Sequence, residues 1–342
     1  MEIDVGLDAV GLPHDMEAEI TADAARRGYG RIWTASGGDP FQTCGLRWAA
    51  TRAVVRGGIG TAVGVVPVTL RSPADLAISG AALSRLTGGR FILGVGAGSA
   101  YQSSYRRTWG VAEPSPLALV RAYLTTMHAF LGGERVTYHG SGVNYDDAAL
   151  PNEPAVTPLY LGAGGPEMVR LGGELADGVY LSWCTDRSVA STRSYISEGA
   201  ARVGRDPSQI RLAASVRVCI DDALPVARRA LAEALLPYVL GWNGAPPSAY
   251  RTQFERMGFG HAVAEVDKMR ERGIKREGLI EAFPDEMLSG LGYYGPSSGA
   301  ADAVRRIAGG ADIAVVRVVP AQPGTAAILA ILDACQPGQG AR

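Results

Sequence analysis

Short apolar runs alternate with longer amphipathic segments along almost the whole chain. The runs at 3–7, 31–35, 59–66, 91–95, 159–162, 178–183, 210–220 and 313–319 are nearly continuous in apolar residues. Continuity of this kind reads as parallel strands covered on both faces. Between the runs the period lengthens to that of a helix. Met16, Ile20 and Ala24 recur at four-residue spacing and stop before Gly28. Ser72-Pro73-Ala74-Asp75 supplies an N-cap, a proline at the first helical position and an acid at the capping-box position. That helix continues through Leu76 and Leu83 to Leu86 and stops at Gly88-Gly89. Ser115-Pro116 repeats the start signal, and Leu117, Val120, Leu124, Met127 and Leu131 keep the helical period up to Gly132-Gly133. Two more helices are expected, one bracketed by Ser298 and Gly309 and one near 326–334.

Eight strand-then-helix units predict an α/β fold, a closed (β/α)8 TIM barrel. The chain 1–342 reads as one domain with insertions at about 134–158 and 241–296. The first, with Tyr138, Gly140, Gly142 and Asp146-Asp147, reads as a small hairpin. The second lies between the seventh and eighth strands and carries a helical stretch around 262–272. In such a barrel the site is built from the loops that follow the strands. Here these are 8–15, 36–42, 64–71, 96–107, 163–167, 182–187 and the second insertion.

Composition narrows the partners. There are 33 Lys+Arg against 34 Asp+Glu, a formal net charge of −1. A nucleic-acid footprint needs clustered excess cation, so no nucleic acid is expected, and no polybasic membrane surface either. The longest charge-free apolar stretch, about 57–70, is too short and too rich in Gly and Pro to span a bilayer. Cys44, Cys184, Cys219 and Cys335 have neither zinc nor redox-dithiol spacing, and the N-terminal MEIDVGLD is not signal-like. A cytoplasmic protein is expected. Much of the glycine, 45 residues in all, lies at apparent strand ends, where backbone must approach something closely.

The loop Ala163-Gly164-Gly165-Pro166-Glu167 follows a strand and opens a helix. It is either a phosphate or carboxylate site, built from outward N–H groups and a helix N-terminus, or a tight turn that needs glycine. Ser182, with Thr185 beyond it, adds hydroxyl donors to the same anion or caps the next helix. In Gly94-Val95-Gly96-Ala97-Gly98-Ser99 the third glycine of a dinucleotide fingerprint is replaced by Ser99. The segment 60–67, with Ala62, Val63, Gly64 and Val65, is either a buried strand or a surface for a flat ring. Among the histidines only His14 falls in a loop on the catalytic face, near Asp8 and Asp15, with Ser36 and Asp39 after the second strand. No Ser-His-Asp or Cys-His arrangement and no carboxylate cluster with metal-ligand spacing can be read. So few ionisable groups on the active face point to a cofactor that carries the chemistry.

The segment from Ser72-Pro73 through Leu86-Thr87-Gly88-Gly89-Arg90-Phe91-Ile92-Leu93-Gly94-Val95-Gly96-Ala97-Gly98 resembles the central signature of the luciferase-like monooxygenase superfamily. So do Pro158-Leu159-Tyr160-Leu161-Gly162-Ala163-Gly164-Gly165-Pro166 and Leu175-Ala176-Asp177-Gly178. The flavour is similar to the branch that uses coenzyme F420, which includes methylenetetrahydromethanopterin reductases and many actinobacterial reductases. The resemblance implies a deazaflavin in the barrel mouth, its rear face on a third-strand bulge within 62–65, where relatives often hold a cis non-prolyl peptide. It implies Ala97 and Gly98 beside the ring, and the cofactor phosphate at Ala163, Gly164, Gly165 and Pro166 with Ser182. It further implies a homodimer acting on a small-molecule substrate. The chain departs from the pattern after the second strand, where relatives carry an acid and often a histidine. Ser36 and Gly37 stand there, with Asp39 displaced, and Ala97 and Ala100 follow the fourth strand. The proton donor of the sugar-phosphate dehydrogenases is therefore missing, which leaves an imine, an activated alkene or a pterin-like substrate. Protonation then comes from solvent, Tyr101 or the second insertion. An FMN-dependent monooxygenase and a barrel without catalysis are the alternatives.

Overall fold

A computed structural model describes residues 1–8, 13–35, 38–98, 115–151, 153–241 and 249–338. The strands are β1 Glu2–Leu7, β2 Arg31–Thr34, β3 Gly60–Pro67, β4 Phe91–Gly96, β5 Val136–Gly140, β6 Val143–Ala148, β7 Leu159–Gly162, β8 Gly178–Ser182, β9 Arg211–Ile220, β10 Gly292–Gly295 and β11 Ile313–Val318. Eight of them pair in parallel in the order β1-β2-β3-β4-β7-β8-β9-β11, and β11 returns to β1 to close the barrel. The helices between them cover the outside, as expected for strands buried on both faces.

The barrel interior is filled by Trp33, Ala62, Ile92, Tyr160, Tyr180, Ala213, Ile313 and Val315. Trp33 stacks on Tyr180, with centroids 5.0 Å apart. Below them the buried Asp4 accepts from Trp33 Nε1 at 2.8 Å and from Arg31 Nη1 at 3.2 Å. A second core lies between strands and outer helices. A third packs Trp183 and Cys219 against the residues of the second insertion.

The segment 134–158 holds the expected hairpin, β5 with β6 antiparallel. The second insertion is more helical than its sequence pattern. Beyond the helix Leu224–Leu240 it carries helices Ala249–Phe254, Gly260–Glu271, Arg276–Glu281 and Asp285–Leu291, and then β10. That strand was not read from the sequence. β9 pairs with β8 only as far as Ser215, and β10 takes up its far end from Arg217 to Ile220. Without β10 that end would be an open edge. The first helix, His14–Arg26, turns a different residue inward from the one its spacing indicates: Met16 is 42% exposed, whereas Glu17 is 4%. Glu17 is drawn in by Arg47, whose Nε donates to its Oε1 at 2.8 Å. All four cysteines are buried and free. Among the described residues no helix is long and apolar enough to cross a membrane, and no cluster could hold a metal ion.

Candidate active site

β3 runs in step with β4 from Thr61 to Val63, slips, and resumes at Val66, so that Gly64 and Val65 bulge from the ladder. The bond between them is cis. Ala62 and Val63 lead into the bulge fully buried. A Cβ on Gly64 would stand 2.9 Å from the Trp33 ring and 3.1 Å from that of Tyr180, so only glycine fits over the interior stack. The Val65 side chain lies over β4 and β7. A Cβ on Gly96 would come within 3.1 Å of it, and one on Gly162 within 3.0 Å of both its methyls. A Cβ on Gly94 would overlap the Val63 carbonyl oxygen. Glycine at these neighbouring positions seats the bulge as an apolar ledge in the barrel mouth. β4 leaves beside it: Ala97 packs on the core, and Gly98 (φ 63) lies against Pro67.

β7 ends at Gly162, and Gly165 becomes the N-cap of the helix Pro166–Leu175. No side chain caps that helix. Its first-turn N–H groups and the positive end of its dipole therefore face outward. The two glycines of the loop differ. A Cβ on Gly164 would overlap the amide of Gln253, a buried residue that donates from Nε2 to the carbonyl oxygens of Ser182 (2.8 Å) and Trp183 (2.9 Å). Gly165 is open: the nearest atom to a Cβ there would be Arg256 Nη1, at 3.5 Å. Arg256 is exposed and forms no ion pair among the described residues. Helix end and guanidinium converge on one spot, an arrangement suited to a phosphate or carboxylate.

The adjoining stretch of the mouth, at the ends of β8 and β9, is polar. Ser182 closes β8, and its Oγ accepts from Arg217 Nη1 at 2.9 Å. The Tyr250 hydroxyl hydrogen-bonds the same Ser182 side chain. Burial pushes Tyr250 up to about 12, with Tyr238 adding to the shift and Arg217 and Ser182 opposing it, so Tyr250 keeps its proton at neutral pH. The helix that follows β8 is capped by Thr185, not by Ser182. Arg217 lies 3.8 Å from the centroid of Trp183 and 5.5 Å from that of Tyr238. Its rung partner on β11 is Arg317, whose Nε and Nη2 both donate to the carboxylate of Asp8. Burial works against the Arg317 charge, but Asp8, Tyr180 and Tyr238 outweigh it and hold the proton more tightly than usual.

Of the candidate catalytic residues, Ser36 and Tyr101 lie outside the described residues. His14 contributes its backbone to the start of the first helix, and its side chain is likewise outside what the structure describes. Asp39 is the N-cap of the helix Pro40–Thr51: Oδ1 accepts from Phe41 N and Gln42 N, and Oδ2 from Arg71. Partial burial would raise its pKa, but the two amides and Arg71 prevail and hold it below the usual carboxylate range. The fold brings together Ala62, Val63, Gly64, Val65 and the strand ends of β4 and β7 on one rim. Directly after β7, on the same rim, it sets Ala163, Gly164, Gly165 and Pro166, with Ser182 at the end of the neighbouring β8. Arg217, Arg317, Gln253 and Arg256 belong to no motif of the sequence. The two strand arginines did carry a signal. Each is a charge in the second half of a buried strand, on the parity of the inward-facing Ala213 or Val315.

The family model for luciferase-like monooxygenases matches residues 5–312. A 5,10-methylenetetrahydromethanopterin reductase of Methanolobus tindarius is 27% identical over 311 residues, covering 88% of each chain. A putative coenzyme F420-dependent oxidoreductase of Mycobacterium tuberculosis is 28% identical over 294 residues, 81% of this chain and 82% of that one. The fold matches the structure of a coenzyme F420 dependent tetrahydromethanopterin reductase from Methanopyrus kandleri with a TM-score of 0.76, at 21% identity and 98% coverage of both chains. With a family match across nearly the whole barrel, and with the ledge and helix end in place, the chain belongs to the luciferase-like monooxygenase family.

Proposed function

We propose that this chain is a coenzyme F420-dependent oxidoreductase, which moves a hydride between the deazaflavin and a small organic substrate. The substrate class is an imine, an activated alkene or a pterin-like compound. One observation carries the reading: the Val65 ledge over Gly96 and Gly162 stands beside the open, uncapped helix end at Gly165. An apolar support for a fused ring and a cationic grip for a phosphorylated tail thus share one rim. The relatives named for coenzyme F420 favour this cofactor over FMN.

When bound, coenzyme F420 supplies a hydride-carrying carbon, C5 of its ring. Gly64 and Val65 would support the ring, with Ala62 and Val63 behind them and Ala97 and Gly98 alongside. Gly164, Gly165, the helix that begins at Pro166, and Arg256 would hold the tail. The stack of Trp33 and Tyr180 beneath the ledge excludes water from the barrel side. The chain's own contribution is then mainly orientation. Asp39 is committed to its helix cap, so a required proton comes from solvent, Tyr101 or the second insertion. The reading extends to a single-domain enzyme acting in the cytoplasm as a homodimer.

The test is a titration of the purified protein with coenzyme F420 and with FMN, following the fluorescence of its five tryptophans. Saturable binding of F420 with indifference to FMN is expected. The reverse preference would assign an FMN-dependent monooxygenase of the same family, and binding of neither would leave a barrel without cofactor chemistry.

A further inference from the structure

We infer that Arg217 is the anchor for a carboxylate group on the substrate. The inference rests on the oxidoreductase reading and narrows it to anionic substrates. Ala213 faces the barrel interior, so Ser215 and Arg217 follow on the same inner face of β9. Arg217 is only 5% exposed, yet no carboxylate among the described residues pairs with it. Its neighbours in charge are already matched. Arg317 is held by Asp8, and Arg47 by Glu17. Among the described residues Arg217 is therefore the one buried arginine of the barrel that no carboxylate compensates. A buried guanidinium in that state is costly, and the rings of Trp183 and Tyr238 soften the cost without cancelling it.

The donors that remain describe the missing partner. Nη1 is taken by Ser182, which leaves Nε and Nη2, the edge of the guanidinium that meets two oxygens of one planar group. Beside it, Arg317 Nη1 and Trp183 Nε1 are buried without a partner among the described residues. An excess of one positive charge suits a singly charged carboxylate; a doubly charged phosphate would overshoot it. Arg217, on β9, lies two strands along the barrel from β7, whose following helix end takes the cofactor tail.

The experiment uses the full chain loaded with coenzyme F420, with acetate, crotonate and cinnamate as probes against their neutral amides, followed by calorimetry at fixed ionic strength. At least one acid is expected to bind tenfold or more tightly than its amide. Arg217→Met should remove that preference while leaving F420 affinity within twofold, and Arg217→Lys, which keeps charge but loses the fork, should fall between. The inference is overturned if no acid is preferred to its amide, if Arg217→Met binds the acid like the parent, or if inorganic phosphate binds better than every carboxylate. It is also overturned if Arg217→Met loses F420 and keeps the acid, which would assign Arg217 to the cofactor. Should Arg217→Met not fold, the acid-against-amide comparison in the parent and the Arg217→Lys titration decide. Failure of the cofactor reading is seen separately, as a parent protein that does not take up F420; the acid and amide titrations then decide on the cofactor-free chain.

Discussion

Gly164 and Gly165 adjoin in the chain but stand in different surroundings, and substituting each in turn separates folding from binding. At Gly165 a side chain enters open space, 3.5 Å from Arg256 Nη1, so Gly165→Val strains nothing in the fold. The residue change at the N-cap costs about 0.5–1 kcal/mol. At roughly 2.1 cal/mol/K per residue, a chain of 342 residues loses about 1.4 °C of Tm per kcal/mol, so the expected drop is about 1 °C. The same side chain stands between the helix end and Arg256 and blocks an anion from reaching both. Loss of one or two charge-assisted hydrogen bonds, about 1.5–3 kcal/mol each, weakens F420 binding by at least ~10-fold. Gly164→Ala is the opposite case. Its methyl displaces Gln253 from two buried carbonyls. Two lost hydrogen bonds and the repacking cost about 2–4 kcal/mol, a fall of about 3–6 °C. Calorimetric unfolding measures the first quantity, and fluorescence titration with F420 the second. If Gly165→Val bound F420 like the parent, the tail would not lie at this helix end.

Asp39→Ala should cost about 1 kcal/mol of stability through the lost cap, and Asp39→Asn much less; turnover that survives in Asp39→Asn checks that the carboxylate is structural, and its abolition would make Asp39 an acid-base group. Because its pKa lies below the ordinary value, the Asp39 contribution is present above about pH 4 and is lost as pH falls through the lowered value. Arg47→Met leaves Glu17 buried without its cation, and the Thr34 hydroxyl and Leu7 carbonyl without their donor, so unfolding calorimetry should record a loss of about 3–5 kcal/mol; a loss below ~1 kcal/mol would refute the pairing. Burial pushes the Cys44 thiol up to about 11 and those of Cys184 and Cys335 to about 12. Above about pH 8.5 the unfolded thiols ionise while the buried ones do not. Denaturant unfolding should therefore show stability falling as pH rises from 9 to 11, and a thiol reagent should label the native chain only as it unfolds.

The chain's own periodicities determine a good deal. Eight continuous apolar runs separated by helical periods lead to the eight barrel strands with their order along the chain, because each element's pattern is a local property of a few consecutive residues. The 163–167 loop is legible for the same reason: two glycines and a proline at one strand-to-helix junction announce a helix start. Tertiary structure decided the rest. Whether Met16 or Glu17 faces inward depends on Arg47, which arrives from another helix. Gly164 and Gly165 look alike in the sequence until Gln253 and Arg256, from the second insertion, fall on one and beside the other. β10 exists only because β9 outruns β8. Arg217 and Arg317 become neighbours only when β11 is set on β9 in its register, and Asp8 can neutralise one of them only because the barrel closes β11 onto β1. Patterning acts over a turn or a strand, whereas the balance of charge in the mouth is set by which distant side chains the closed barrel brings to one level.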